Sequence, residues 1–161
     1  MIFVATGTQK FQFNRLLAKI DELISKNKIN EELFAQIGHS TYIPKNYSYK
    51  RFMSKEEYEK YMDLASVVIS HGGVGTILEA RNKGKAVVVV PRLSQYDEHV
   101  DNHQMDITKK FSKEKIILMC ERESLEDLPK KIEYAKKFKF KSYKKNNEKF
   151  VRSFERILMS F

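Results

Sequence analysis

Ser66-Val67-Val68-Ile69-Ser70-His71-Gly72-Gly73-Val74-Gly75-Thr76-Ile77-Leu78-Glu79-Ala80 is the stretch that decides the fold. Val67 to Ile69 is apolar without alternation, the pattern of a strand covered on both faces. Gly72, Gly73 and Gly75 then turn the chain into a helix expected from about Val74 to Lys83. Gly84 closes it, as the residue type favoured just past a helix end. Ala86-Val87-Val88-Val89-Val90, stopped by Pro91, is a second strand of the same kind. A strand, a glycine turn, a helix and another fully apolar strand make a βαβ unit, which implies a parallel sheet.

The flanks repeat this alternation. Ile2 to Thr6 reads as a strand, Gly7-Thr8 as a tight turn, and Phe11 to Ile24 as a helix with Phe13, Leu16, Leu17, Ile20, Leu23 and Ile24 at helical spacing. Leu33 to Ile37 is a strand closed by Gly38, the stretch from Thr41 to Tyr49 with Pro44 is a loop, and Tyr49 to Phe52 is a short strand. Ser54 with Glu57 three residues on is a capping box for a helix reaching Leu64. Further on, a helix is expected from about His99 to Phe111, a strand over Ile116 to Met119, and an amphipathic helix from Leu125 to Phe138. A last helix spans about Tyr143 to Ser160, with Phe150, Phe154, Ile157, Leu158 and Phe161 on one stripe. With no internal repeat and no linker, residues 1–161 read as a single α/β domain, a Rossmann-like open parallel sheet with helices on both faces.

Composition narrows the class. The chain has 161 residues, 42% hydrophobic and 32% charged, with six Gly and three Pro, which excludes collagen-like, low-complexity and wholly disordered chains. Its single Cys120 excludes an intramolecular disulfide framework and a cysteine-based zinc site. The early apolar run Ile2 to Ala5 is too short for a signal-peptide core, so a soluble, cytoplasmic protein is expected. The net charge of +9 is concentrated: Lys130 to Arg156 alone carries +8. Such a basic region suits an anionic surface, whether membrane, nucleic acid or acidic partner, or simply a solvated helical face.

In a doubly wound sheet, ligands bind where strand ends meet helix N-termini. Three loops occupy that edge: Thr6 to Lys10, Ser70 to Thr76, and Pro91 to His103. In the second, absent side chains let backbone N–H groups approach an anion, and the helix dipole favours negative charge, so a phosphate or diphosphate is the expected guest. The loop is neither the dinucleotide fingerprint nor the Walker loop. Glu79, a turn or so into the helix, fits two ribose hydroxyls; it also fits a capping box with Thr76. The third loop is dense in hydrogen-bonding side chains that suit a sugar. Asp97, His99, Asp101 and His103 could suggest a metal site, but an i, i+2, i+4 pattern cannot face one way on a helix, so a polyol suits them better and no metal is expected. His71 is a candidate phosphate contact or base, or a satisfied structural histidine.

Ser70 to Ala80, then Ala86 to Pro91, then Asp97-Glu98-His99 with Asn102-His103-Gln104, together resemble the C-terminal domain of glycosyltransferase family 28, the donor-binding half of a GT-B fold. The likeness is greatest to small catalytic subunits of split UDP-sugar glycosyltransferases. These include bacterial capsule and exopolysaccharide galactosyl- or glucuronosyltransferase components and the eukaryotic UDP-N-acetylglucosamine transferase subunit of dolichol-linked oligosaccharide synthesis. The resemblance implies a UDP-sugar donor, with Gly7, Thr8, His71, Gly72, Gly73, Gly75 and Thr76 around the diphosphate and Glu79 on the ribose. It places Glu98, His99, Asn102 and Gln104 at the donor sugar, and uracil contacts near Gly38 to Ile43.

It also implies inversion without an essential metal or cofactor, and a separate membrane-anchored subunit holding a lipid-linked saccharide acceptor. That subunit would supply the general base and recruit the chain to the inner face of the cell membrane. The helix near residues 143–161 would then face the partner, or a second copy of the chain in its absence. Two rival readings are a non-catalytic accessory subunit and, from the basic region with Phe138, Phe140 and Tyr143, a nucleic-acid-binding module.

Overall fold

The computed structural model describes residues 1–142 together with Arg152, Glu155, Arg156 and Met159. The helix expected over 143–161, with its apolar stripe, lies outside the described residues except for those four. Among the described residues six strands form one all-parallel sheet: β1 (Ile2–Ala5), β2 (Leu33–Gln36), β3 (Ser48–Lys50), β4 (Val67–Ser70), β5 (Ala86–Val89) and β6 (Leu118–Met119). Their spatial order is β3-β2-β1-β4-β5-β6. The helices between them are α1 (Asn14–Ser25), α2 (Lys55–Leu64), α3 (Val74–Asn82), α4 (His103–Lys113) and α5 (Leu128–Ala135). The doubly wound α/β architecture expected from the sequence is the one observed.

Strand pleating divides the core in two. Ile2 and Val4 of β1 join Phe13, Leu16, Leu17 and Ile20 of the α1 region, with Leu128 and Ile132 of α5, on one face. Phe3 and Ala5 join Met62 of α2, Ile77 and Ala80 of α3 and Phe111 of α4 on the other. All of these are buried, which is why β1, β2 and β4 show no polar face. Each such large side chain contributes roughly 1.5–3 kcal/mol by leaving water.

Local chemistry sets the element ends. Ser54 Oγ accepts from Glu57 N while Glu57 accepts from Ser54 N, so the capping box that starts α2 is present as expected. Gly84 stands at φ +71 and donates to Arg81 O, ending α3. Two helices start later than periodicity predicts. Asp97 is left-handed at φ 55, and the Asp101 carboxylate accepts from His103 N, so α4 begins at His103 and not near His99. Leu125 is left-handed at φ 57 and Pro129 lies in the first turn, so α5 begins at Leu128. Among the described residues no helix is long and apolar enough to cross a membrane.

Candidate functional site

Strand order reverses between β1 and β4, so the loops leaving their carboxyl ends diverge and open a crevice. Gly7 follows β1 at φ +81 and Gly72 follows β4 at φ +96, conformations open to residues without a Cβ. Between these loops lies the His71 ring. A methyl group on Gly7 would sit 2.8 Å from its Cε1, and one on Gly73 would sit 2.4 Å from its Nε2. The two glycines therefore clasp the imidazole, and the ring spaces the β1 loop from the β4 loop.

His71 Nδ1 donates to Ala5 O at 3.2 Å, since a carbonyl can only accept; this fixes the tautomer and leaves Nε2 with a lone pair. Burial, reinforced by the Arg92 guanidinium, holds its pKa down to about 4, so the ring is neutral at physiological pH. A neutral imidazole whose only N–H is committed offers a phosphate no donor. In this arrangement the largely buried ring spaces the two loops, and its neutral form, with Nδ1–H bound to Ala5 O, offers no donor for the phosphate contact expected from the sequence.

The N-terminus of α3 is the element expected from the sequence to receive an anion. Its N-cap is Gly73 and no side chain caps it, so its first-turn amides are left for a ligand. The Thr76–Glu79 capping box is not formed, because the helix already starts at Val74. A cavity of about 460 Å³ is lined by Gly7 and Thr8 from the β1 loop and by Thr76 and Glu79 from α3. Gln36, Met53, Ser54, Lys55, Tyr58 and Glu59 complete its wall from the β2 end and the start of α2. Glu79 is half-buried, and burial holds its carboxyl above the usual range, with Glu59 and Asp63 pushing the same way against Lys83 and Lys55. Tyr58 packs edge-on against Phe3 at 5.3 Å and bonds to the Thr76 side chain; burial raises its phenol above the ordinary value. Thr8, Thr76 and Glu79 thus share one cavity.

The sugar-loop residues fare differently. Glu98 is wholly buried: Arg15 grips its two oxygens from Nε and Nη2, both at 2.9 Å, and Leu93 N donates to Oε2 at 2.9 Å. Its expected contact with a sugar does not fit this placement, because a carboxylate with both oxygens engaged and no exposed surface has nothing to offer a hydroxyl. Asn102 Oδ1 accepts from Ser94 N at 3.0 Å and shapes the loop. Gln104, one residue into α4, packs behind Gly72. His99 is half-buried against Phe11, ring centres 5.2 Å apart, and close enough to His71 to lower its pKa slightly. None of the four lines the cavity that holds Glu79. Among the described residues no three His, Cys, Asp or Glu side chains converge as metal ligands would.

A family model, the glycosyltransferase family 28 C-terminal domain, matches residues 1–158. The chain belongs to that family. Among curated relatives, it is 32% identical over 128 residues to the human UDP-N-acetylglucosamine transferase subunit ALG13 and 29% identical over 134 residues to the mouse protein of the same name. These matches cover 74% and 73% of this chain but only 11% and 10% of the relatives. The Candida albicans ALG13 subunit is 31% identical over 62 residues, 38% of this chain and 20% of that protein. The chain therefore spans a small fraction of the length of the relatives it matches.

Several residues that build the site of this family 28 domain are invisible to motif reading. Gln36 is the last residue of an apolar strand, and Tyr58 and Glu59 look like ordinary positions of a surface helix. The cavity also places its far wall at Gln36 and Met53, while His39, Thr41 and Ile43, where base contacts were expected, do not line it. Arg92 directly follows Pro91 at a strand end, and its complete burial has no local signal.

Proposed function

We propose that this family 28 domain is the donor-binding catalytic subunit of a two-component inverting glycosyltransferase that moves a hexose from a UDP-sugar to a lipid-linked saccharide. The observation that carries the reading is that Gly7 and Thr8 of the β1 turn, Thr76 in the first turn of the uncapped α3 and the Glu79 carboxylate line one cavity, with the Gly72–Gly75 turn leading into that helix. A nucleoside diphosphate matches that set: its phosphates suit the amides and the dipole, and its ribose hydroxyls suit the carboxylate. The relatives are UDP-N-acetylglucosamine transferase subunits, which supports a UDP-sugar donor and a partner-dependent enzyme.

As the glycosidic bond to the diphosphate breaks, negative charge grows on the departing UDP. The first-turn amides of α3 and the backbone of the Gly7 loop lie ready to stabilise it without reorganisation, and no metal or cofactor enters this scheme. With His71 largely buried between the two loops, the proton of the acceptor hydroxyl is assigned to a base on a second, membrane-anchored subunit that holds the acceptor. The chain then works in the cytoplasm at the inner membrane face, in surface polysaccharide synthesis. Calorimetric titration with UDP-N-acetylglucosamine, UDP-galactose and UDP-glucuronic acid names the donor. Transfer assays with and without a co-expressed acceptor subunit test the division of labour. Transfer that requires both chains supports it, whereas full transfer by this chain alone contradicts it. Donor-independent enhancement of a partner's transferase activity would favour the accessory reading.

A further inference from the structure

The buried charges of Glu98 and Arg92 and the half-buried Arg15 form one cluster that touches both loops flanking the crevice. From the β5–α4 loop, the wholly buried Arg92 reaches across to the β1–α1 loop. Its Nη2 donates to Thr6 O, the carbonyl just before Gly7, and its Nη1 donates to Gln12 O at 2.9 Å. The same Nη1 also donates to Glu98 O at 3.2 Å, and the guanidinium lies over the Phe13 ring at 4.7 Å. Arg15, in the first turn of α1, returns the link: besides gripping Glu98 it donates to Pro91 O at 3.1 Å and Glu123 O at 2.9 Å. Gln12 Nε2 adds a bond to Tyr96 O at 2.7 Å. A helix–strand interface needs no such set of ions, and burying Arg92 and Glu98 beside a half-buried Arg15 is costly, the more so as Arg92 Nε is buried without a hydrogen-bond partner. What the set achieves is a fixed distance between two loops that no strand pairing joins.

We propose that Arg92 and the Arg15–Glu98 pair are positioning residues that bind the diphosphate loop, Thr6 to Gln12, and the sugar loop, Pro91 to Asn102, into one rigid unit. Glu98 thus acts on the donor through Arg15 and the loop backbone, without touching the sugar. Docking of a diphosphate at Gly7 and Thr8 and presentation of His99 beside Phe11 become a single event. This inference rests on the donor-site reading above, and its test has one arm that needs no nucleotide.

The first arm is trypsin cleavage under native conditions, followed by mass spectrometry. Lys10 is exposed within the clasped loop; Lys83, at the far end of α3, reports opening elsewhere. In Glu98→Gln, which keeps an acceptor for Leu93 N but loses the ion pair, the Lys10-to-Lys83 cleavage ratio rises severalfold over wild type. Arg15→Met gives the same rise, and the double variant adds little to either. Arg15→Lys, which retains charge but not the two-pronged grip, falls between. The second arm is affinity for UDP without a sugar, well below the melting temperature. Both single variants weaken it by about tenfold, the scale expected when binding groups shift by a fraction of an ångström.

An unchanged cleavage ratio in both single variants overturns the proposal. So does a Glu98→Gln effect confined to UDP-sugars with Arg15→Met binding like wild type, which would make Glu98 a direct sugar contact. A fall in melting temperature with UDP affinity intact would reduce the cluster to a fold element and overturn it too. If wild type binds no UDP, the donor reading fails on its own, and the cleavage ratio still decides whether the loops are clamped.

Discussion

Gly73→Ala isolates the role of the clasped histidine. Gly73 has φ −65 and ψ 125, angles any residue adopts, so backbone strain does not explain the glycine. The obstacle is the imidazole: an added methyl would meet Nε2 at 2.4 Å and Cε1 at 2.6 Å. The ring cannot simply retreat, because Gly7 backs it on the other side and Ala5 O holds its Nδ1. Overpacking of this kind costs roughly 1–3 kcal/mol, and loss of the Ala5 bond adds about 1 kcal/mol, giving a destabilisation of about 2–4 kcal/mol. Urea unfolding followed by circular dichroism measures it. The diagnostic is the cycle with His71→Ala: removing the ring removes the clash, so the double variant is no less stable than His71→Ala alone, and the coupling is of order 2 kcal/mol. Additive losses, or a Gly73→Ala chain as stable as wild type, would refute the account of why this glycine is there.

Gly75, by contrast, has nothing within 4 Å of an added methyl, so Gly75→Ala leaves folding stability unchanged or raises it by up to about 1 kcal/mol, yet weakens UDP binding by crowding the approach to the α3 amides. The two substitutions, two residues apart, thus separate a packing glycine from an approach glycine in paired unfolding and binding assays. The depressed pKa of His71 makes a pH signature. Above pH 6.5 the ring is neutral in both folded and unfolded chains and its full contribution is present; as pH falls from 6.5 towards about 4 the unfolded chain binds the proton first and stability drops, by an amount on the order of 3 kcal/mol. Stability measured from pH 7.5 to 4 shows this slope in wild type, and His71→Gln flattens it.

The sheet was legible because burial on both faces writes itself as unbroken apolar runs, and Val67 to Ile69 and Val87 to Val90 carry that signal with no other reading available. The glycine turn between β4 and α3 was legible for a related reason: glycines at a strand-to-helix turn answer a backbone requirement that is local. The sugar loop misled. A run of Asp, Glu, His and Asn reads as ligand chemistry, but whether Glu98 faces a sugar or an arginine depends on Arg15, 83 residues earlier in the chain. The helix starts at His103 and Leu128 slipped for the same kind of reason, since left-handed Asp97 and Leu125 leave no periodic trace. For His71 the motif left a phosphate contact, a base and a structural histidine open, and the clasp of Gly7 and Gly73 favours the structural role. Tyr58 and Glu59 reach the cavity because α2 leans over the β1 end, a tertiary fact.

The central claim, that the crevice between the Gly7 turn and α3 holds a nucleoside diphosphate with Glu79 on its ribose, is tested most directly by calorimetry of wild type and Glu79→Gln against UDP and 2′-deoxy-UDP. The account predicts saturable UDP binding at one site, a loss of about tenfold in Glu79→Gln, and a comparable loss for 2′-deoxy-UDP that shrinks in the variant because both changes remove the same hydrogen bond. Equal affinity of wild type and variant for UDP, or no preference for the 2′-hydroxyl, would contradict it.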